Sequence, residues 1–145
     1  MPGSKPDGFV RDPSHWLFKF SPDEWIGAAL SEVRRAEAAY KGHNGKAGLA
    51  GAKRAAGMAL NAALMVEPNE KWGRAYVDHV MALSRDESVP EAVRKACKVL
   101  LETHAGGVIV ILRSPRSDEI VLEAARDLVA HAYAVVKRHE AKNRN

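Results

Sequence analysis

The longest apolar pattern in the chain runs from Leu49 to Val66, LAGAKRAAGMALNAALMV. At about 100° per residue, Leu49, Ala52, Ala55, Ala56, Ala59, Leu60, Ala63 and Val66 fill one broad face, and Met58, Ala62 and Met65 carry it round the side. Ala50, Arg54, Gly57 and Asn61 make the one narrow stripe that is not apolar. A helix apolar over most of its circumference is buried on several sides. Its residues are mostly small, so neighbouring helices can come close. The stretch is expected to be the central helix of a bundle.

Patterns on either side predict four further helices. Ser21, Pro22 and Glu24 form a capping-box start, and Trp25, Ala29, Val33, Ala36 and Tyr40 then follow at near-helical spacing. The two glycines of KGHNGK (41–46) end that helix. A third helix is expected over about 69–84 with Trp72, Ala75, Tyr76, His79 and Leu83 on one face. Ser88, Pro90 and Glu91 repeat the start signature, and a fourth helix runs to about Thr103 with Val93, Ala96, Cys97, Leu100 and Leu101 inward. VIVIL (108–112) has the β-branched content of a strand. With no partner strand to pair with, it is expected as an extended connector or a helix extension. Ser117 or Asp118 caps the last helix, which continues to about His139. The fold class is therefore all-α, a five-helix bundle with antiparallel neighbours. Residues 1–20 form an irregular N-terminal arm, 21–140 a single helical-bundle domain and 141–145 a basic tail. Trp16, Leu17, Phe18 and Phe20 are expected to fold back as a lid, or alternatively to present a partner-binding segment.

Composition narrows the class only a little. The 145 residues suit one domain, and 46% hydrophobic with 28% charged residues describes an ordinary globular protein. The net charge of +4 is compatible with a nucleic-acid or phosphate partner without pointing to one. A single cysteine, Cys97, excludes an intramolecular disulfide framework and a Cys-based zinc site. The opening MPGSKPDGF lacks the apolar core of a signal peptide. No stretch approaches the roughly 20 apolar residues of a membrane helix. A cytoplasmic protein without membrane association is expected.

Candidate chemistry is sparse. No zinc pattern, P-loop, dinucleotide fingerprint or nucleophile elbow is present, so no metal site and no cofactor are expected. His79 sits among Trp72, Ala75, Tyr76 and Leu83, where it is either a satisfied core residue or the wall of a small-ligand pocket. Arg54 and Asn61, aligned across Gly57, either mark a groove where a phosphate or another helix approaches or are the exposed edge of the central helix. Arg113 and Arg116 stand just ahead of a helix N-terminus, the setting of an anion site or a polar loop.

The most specific short signal is Arg126-Asp-Leu-Val-Ala-His131 on the last helix. With the order of helices, the Ala-rich AKRAAGMALNAALM and the Asp78-His79 pair followed by Leu83, it makes the chain resemble the HEPN superfamily of helical nucleotide-binding domains over roughly residues 22–139. The resemblance implies a compact, frequently dimeric bundle acting in a nucleic-acid or nucleotide context. It also implies pairing with a nucleotidyltransferase in a toxin–antitoxin or defence module. Where that family's motif is catalytic, it serves metal-independent RNA cleavage, with Arg126, Asp127 and His131 in the matching positions. A histidine titrating near neutrality can take the proton of a ribose 2′-hydroxyl. An arginine fork can hold the phosphate, and Asp127 can orient one of them. Five positions correspond to about 140° of rotation, so Arg126 and His131 diverge on a straight helix, and a two-fold dimer or a kink is needed to converge them. The alternatives are a non-enzymatic interaction module, and a small-ligand-binding bundle using His79, Trp72 and Tyr76.

Overall fold

In the computed structural model, which describes residues 19–68, 72, 76–103 and 115–143, the first helix opens on a reciprocal cap. The backbone N–H of Glu24 donates to Ser21 Oγ at 3.1 Å, and the N–H of Ser21 donates to Glu24 Oε1 at 2.8 Å. Pro22 at the first helical position and the acidic first turn add to this start. Helix α1 covers Pro22–Lys41. Phe20 lies edge-on to Trp25 with ring centroids 4.9 Å apart, so the last residue of the expected lid does fold back. Trp16, Leu17 and Phe18 lie outside the described residues.

Helix α2 spans Gly45–Val66 and begins four residues before the expected Leu49. The reason is Asn44, whose side-chain oxygen accepts the N–H of Ala47 at 3.1 Å and caps the helix there. A three-residue link therefore joins α1 and α2. Its left-handed residue is His43 (φ 62°), not one of the two glycines.

The remaining helices are α3 (Tyr76–Ser84), α4 (Glu91–Glu102) and α5 (Pro115–Asn143). Helix α3 was expected from about Asn69, and residues 69–71 and 73–75 lie outside the described residues, as does the VIVIL run. Helix α4 is capped by Pro90 without any side-chain hydrogen bond. Ser88 instead turns back to Asp86, which accepts from its backbone N–H at 3.0 Å and its hydroxyl at 2.6 Å. Helix α5 starts at Pro115, ahead of the expected Ser117 or Asp118 cap, and runs past His139 into the stretch assigned to the tail. The described residues thus form five helices and no strand. None of these helices is long and apolar enough to cross a membrane.

The layout is set by α2, which touches α1, α3 and α5, while α4 closes against α3 and α5. Ala52, Ala55, Ala56, Ala59, Leu60, Ala62 and Leu64 of α2 are buried to 1% exposure or less. They meet Ala29, Val33 and Ala36 of α1 and Ala125, Leu128, Ala132 and Val136 of α5 within one hydrophobic core. Small residues permit this because helices close in where no bulk separates them. A Cβ built on Gly51 would stand 3.2 Å from Cβ of Ala36, and one built on Gly48 would meet the Tyr40 ring at 2.7 Å.

Candidate functional site

Arg126 and His131 leave α5 in different directions. Arg126 turns toward α1, where Nη1 donates to Glu119 Oε1 at 2.8 Å and Nη2 reaches Glu37 Oε2 at 3.5 Å. Glu119 lies seven positions earlier on the same flank of α5, so Arg126 bridges two helices through two carboxylates. His131 is half-buried and opens instead onto a cavity formed where the end of α2, the α3–α4 link and α5 meet. Asp127 is exposed, one turn before His131. Within one chain the three motif residues are not brought to a common point.

The cavity beside His131 has a volume of about 300 Å³ and a largely polar lining. Glu67, Asp86, Ser88 and Arg138 stand around it, Trp72 and Leu83 are part of its wall, and Pro68 and Pro90 hold the two chain segments at its edge. Arg138 Nη2 pairs with Glu67 Oε2 at 3.4 Å, tying α5 to the end of α2. Burial pushes the His131 imidazole below its ordinary pKa, and the charge of Arg138 acts in the same direction, while Glu67 and Asp86 oppose them. The ring is therefore held neutral at physiological pH. A neutral imidazole in a polar cleft has a lone pair available to accept a proton.

The stripe on α2 is a different structure from that cavity. Arg54 Nε donates to Glu32 Oε2 at 2.7 Å, and Arg35 Nη1 donates to Glu32 Oε1 at 2.8 Å. Glu32 is itself buried at 4% exposure. Burial raises its pKa, but the hydrogen bonds and charges of Arg54 and Arg35 outweigh that and hold the carboxyl below its usual range. Gly57 is covered by the Tyr76 ring of α3, which occupies the space a side chain would need. What approaches over Gly57 is thus another helix of the same chain, and no open phosphate groove remains there.

Asn61 and His79, both fully buried, form the third part of the stripe. His79 Nδ1 donates to the carbonyl oxygen of Trp72 at 3.1 Å. Its Nε2 lies 2.9 Å from Oδ1 of Asn61, while Asn61 Nδ2 is buried without a partner among the described residues. Two acceptors around one ring would require an imidazolium, yet burial pushes the pKa of His79 down. A half-turn of the Asn61 carboxamide removes the conflict at the ring. It brings the N–H donor onto Nε2 and leaves His79 neutral, with each ring nitrogen satisfied. His79 is accordingly a bonded core residue, and neither it nor Asn61 lines the cavity beside His131.

Other expected chemistry resolves simply. Cys97 is fully buried and its thiol is pushed up to about 12, which leaves it unreactive. Arg116 is exposed in the first turn of α5, and Arg113 lies outside the described residues. Among the described residues no three His, Cys, Asp or Glu side chains stand close enough to hold a metal ion. Glu32, Glu67, Asp86, Ser88 and Arg138 went unremarked as site residues in the sequence. Two of them carried a signal there. Glu32 lies seven positions after Trp25 and four before Ala36, on the apolar stripe of α1, and Arg138 lies seven positions after His131, on its flank. No family model, curated protein or solved structure matches the chain.

Proposed function

We propose that the chain is a HEPN-like antiparallel bundle that acts on RNA as a metal-independent ribonuclease, with the cavity beside His131 as its working site. The observation that carries this reading is the position of His131: half-buried, held neutral, and opening onto a polar cavity instead of the core. In this reading the imidazole accepts the 2′-hydroxyl proton as that oxygen attacks the adjacent phosphorus, and the leaving 5′-oxygen departs from a cyclic phosphate. The Arg126 fork stabilises the charge that develops on the phosphate. Because Arg126 turns to the opposite flank of its own helix, it comes from the second chain of a two-fold homodimer and must release Glu119 or Glu37 to do so. A nucleotidyltransferase is the proposed partner of the assembly.

The test is cleavage of single-stranded RNA in the presence of EDTA, with 2′,3′-cyclic phosphate ends on the products. His131→Ala is expected to abolish cleavage with the fold retained, and activity is expected to fall on dilution. Cleavage that needs a divalent metal, or that survives His131→Ala, overturns the assignment.

A second reading has its own support. Arg126 is already engaged by two carboxylates, which favours a bundle that binds a nucleotide beside His131 and Trp72 without cleaving it. Saturable binding of mononucleotides, weakened by His131→Ala in a chain inactive toward RNA, distinguishes it.

A further inference from the structure

A second cavity of about 320 Å³ lies between α2, α3 and α4, away from His131, and its lining is mostly apolar. Val77 and Val80 of α3 and Leu100 and Leu101 of α4 supply that lining, with Tyr76 beside them. Among the described residues one charged group joins them, Lys53 of α2. Its neighbour in sequence, Arg54, is neutralised by Glu32, but Lys53 has no carboxylate partner among the described residues. Burial alone pushes its pKa down. A partly desolvated ammonium without a counter-ion raises the free energy of the native state. Among the described residues no carboxylate offsets that cost, and an anion brought in by a ligand would. The apolar surface also continues outward, since Val77 is 53% exposed at the rim. The volume falls within the ~300–1,000 Å³ range of small-ligand sites.

We propose that this cavity binds a small amphiphilic anion, an aliphatic carboxylate whose chain lies between Val77, Val80, Leu100 and Leu101 and whose head pairs with Lys53. The charge fixes the head group and the lining fixes the tail. A cationic amphiphile of the same length is rejected, because its head would face Lys53. The site is independent of RNA cleavage, so it stands or falls separately from the function proposed above.

The test is calorimetric titration of the full-length chain with octanoate, octylamine and octanol. Octanoate is expected to bind one site at least tenfold more tightly than either of the others. Affinity should rise about fourfold per methylene between hexanoate and octanoate, the increment of burying one CH₂. Lys53→Met keeps the apolar stem and is expected to erase the preference for octanoate over octanol, while Lys53→Arg retains it. Leu101→Trp, which fills the cavity, should block all three ligands, with circular dichroism confirming an unchanged helical fold. Equal binding of octanoate and octylamine, or a preference that survives Lys53→Met, overturns the proposal. So does an absence of binding to the native chain. If octanoate binds only after Ile109→Ser and Ile111→Ser are introduced together, the occupant is the chain's own apolar run, and the proposal is likewise overturned.

Discussion

The Tyr76 ring lies directly on the backbone of Gly57, so a methyl group at position 57 would overlap the ring and its Cβ. Gly27 on α1 is the opposite case, since a Cβ there meets nothing within 4 Å. Both sit inside helices, where alanine is intrinsically favoured over glycine by about 1 kcal/mol. Gly27→Ala is therefore expected to stabilise by about 0.5–1 kcal/mol. Gly57→Ala is expected to destabilise by about 1–3 kcal/mol through overpacking, despite the same propensity gain. Urea unfolding of the two variants checks the opposite signs, and adding Tyr76→Gly, which removes both the ring and its Cβ, should make the alanine at position 57 favourable.

The bond between Asn61 and His79 makes each depend on the other. Asn61→Ala leaves Nε2 of a buried ring without a partner, and His79→Ala leaves a cavity and an orphaned amide. Each is expected to cost about 2–4 kcal/mol. The double variant should cost clearly less than the sum, because the second change removes a group already unpaired. A double-mutant cycle with a coupling of about 1–3 kcal/mol confirms the pairing, and strict additivity refutes it.

Glu32 is buried while its partners are not. The side chain of Arg35 is 77% exposed and that of Arg54 is 48% exposed. Removing Arg35 should change stability by less than about 0.5 kcal/mol, as exposed ion pairs do. Removing Arg54 takes away the charge that joins α2 to this carboxylate, at an expected cost of about 1–2 kcal/mol after allowance for solvent screening. The loss in Arg54→Ala should shrink as Glu32 becomes protonated below its ordinary range, so melting at neutral and at acid pH tests the assignment.

Acid should weaken the fold in a defined order. Both His79 and His131 have pKa values lowered chiefly by burial. In the unfolded chain they take up protons near pH ~6.5. From there down to their folded pKa values the unfolded state binds more protons, so stability falls as the pH falls. The hydrogen bond to the Trp72 carbonyl and the charge of Asp78 limit the shift at His79, as Glu67 and Asp86 do at His131. The melting temperature is expected to be flat above pH ~7 and to decline below ~6.5, with a shallower decline in His131→Gln. The Glu32 contribution is lost in a separate, more acid window, because its folded pKa is depressed.

The apolar faces of α1, α2 and α4 were legible because burial on a helix follows its 3.6-residue period. Ala52, Ala55, Ala59 and Leu60 fell inward as their spacing requires, and His79 was recognisable as a core residue from its apolar neighbours. Helix ends were harder to read where the cap was not the residue type looked for. Asn44 started α2 ahead of the expected Leu49, and Pro90 in place of Ser88 preceded α4. The α2 stripe was visible as a break in the apolar pattern. Its partners were not, since Asn61 with His79 and Arg54 with Glu32 are separated by 18 and 22 residues. The cavity beside His131 had the least signal of all. It is assembled from Glu67, Asp86, Ser88 and Arg138, which belong to two helix ends and a link. No local pattern records a convergence that only tertiary packing creates.

The alanine-rich seam of α2 makes the mutational landscape of this protein lopsided. An alanine has a single methyl to lose, so shrinking the residues at 52, 55, 56 or 59 removes little packing and costs mainly helix propensity, about 1 kcal/mol for glycine. Enlarging the same residues pushes a neighbouring helix outward, since α1, α3 and α5 all rest on α2 and these alanines are fully buried. Neutral drift in this core can therefore trade alanine for glycine or serine but is barred from valine or leucine. Compensation for a larger residue has to arise on another helix, as it would at Tyr76 for Gly57. Lineages of this protein are expected to change along α2 in linked pairs with α1, α3 and α5, and to leave the seam itself small.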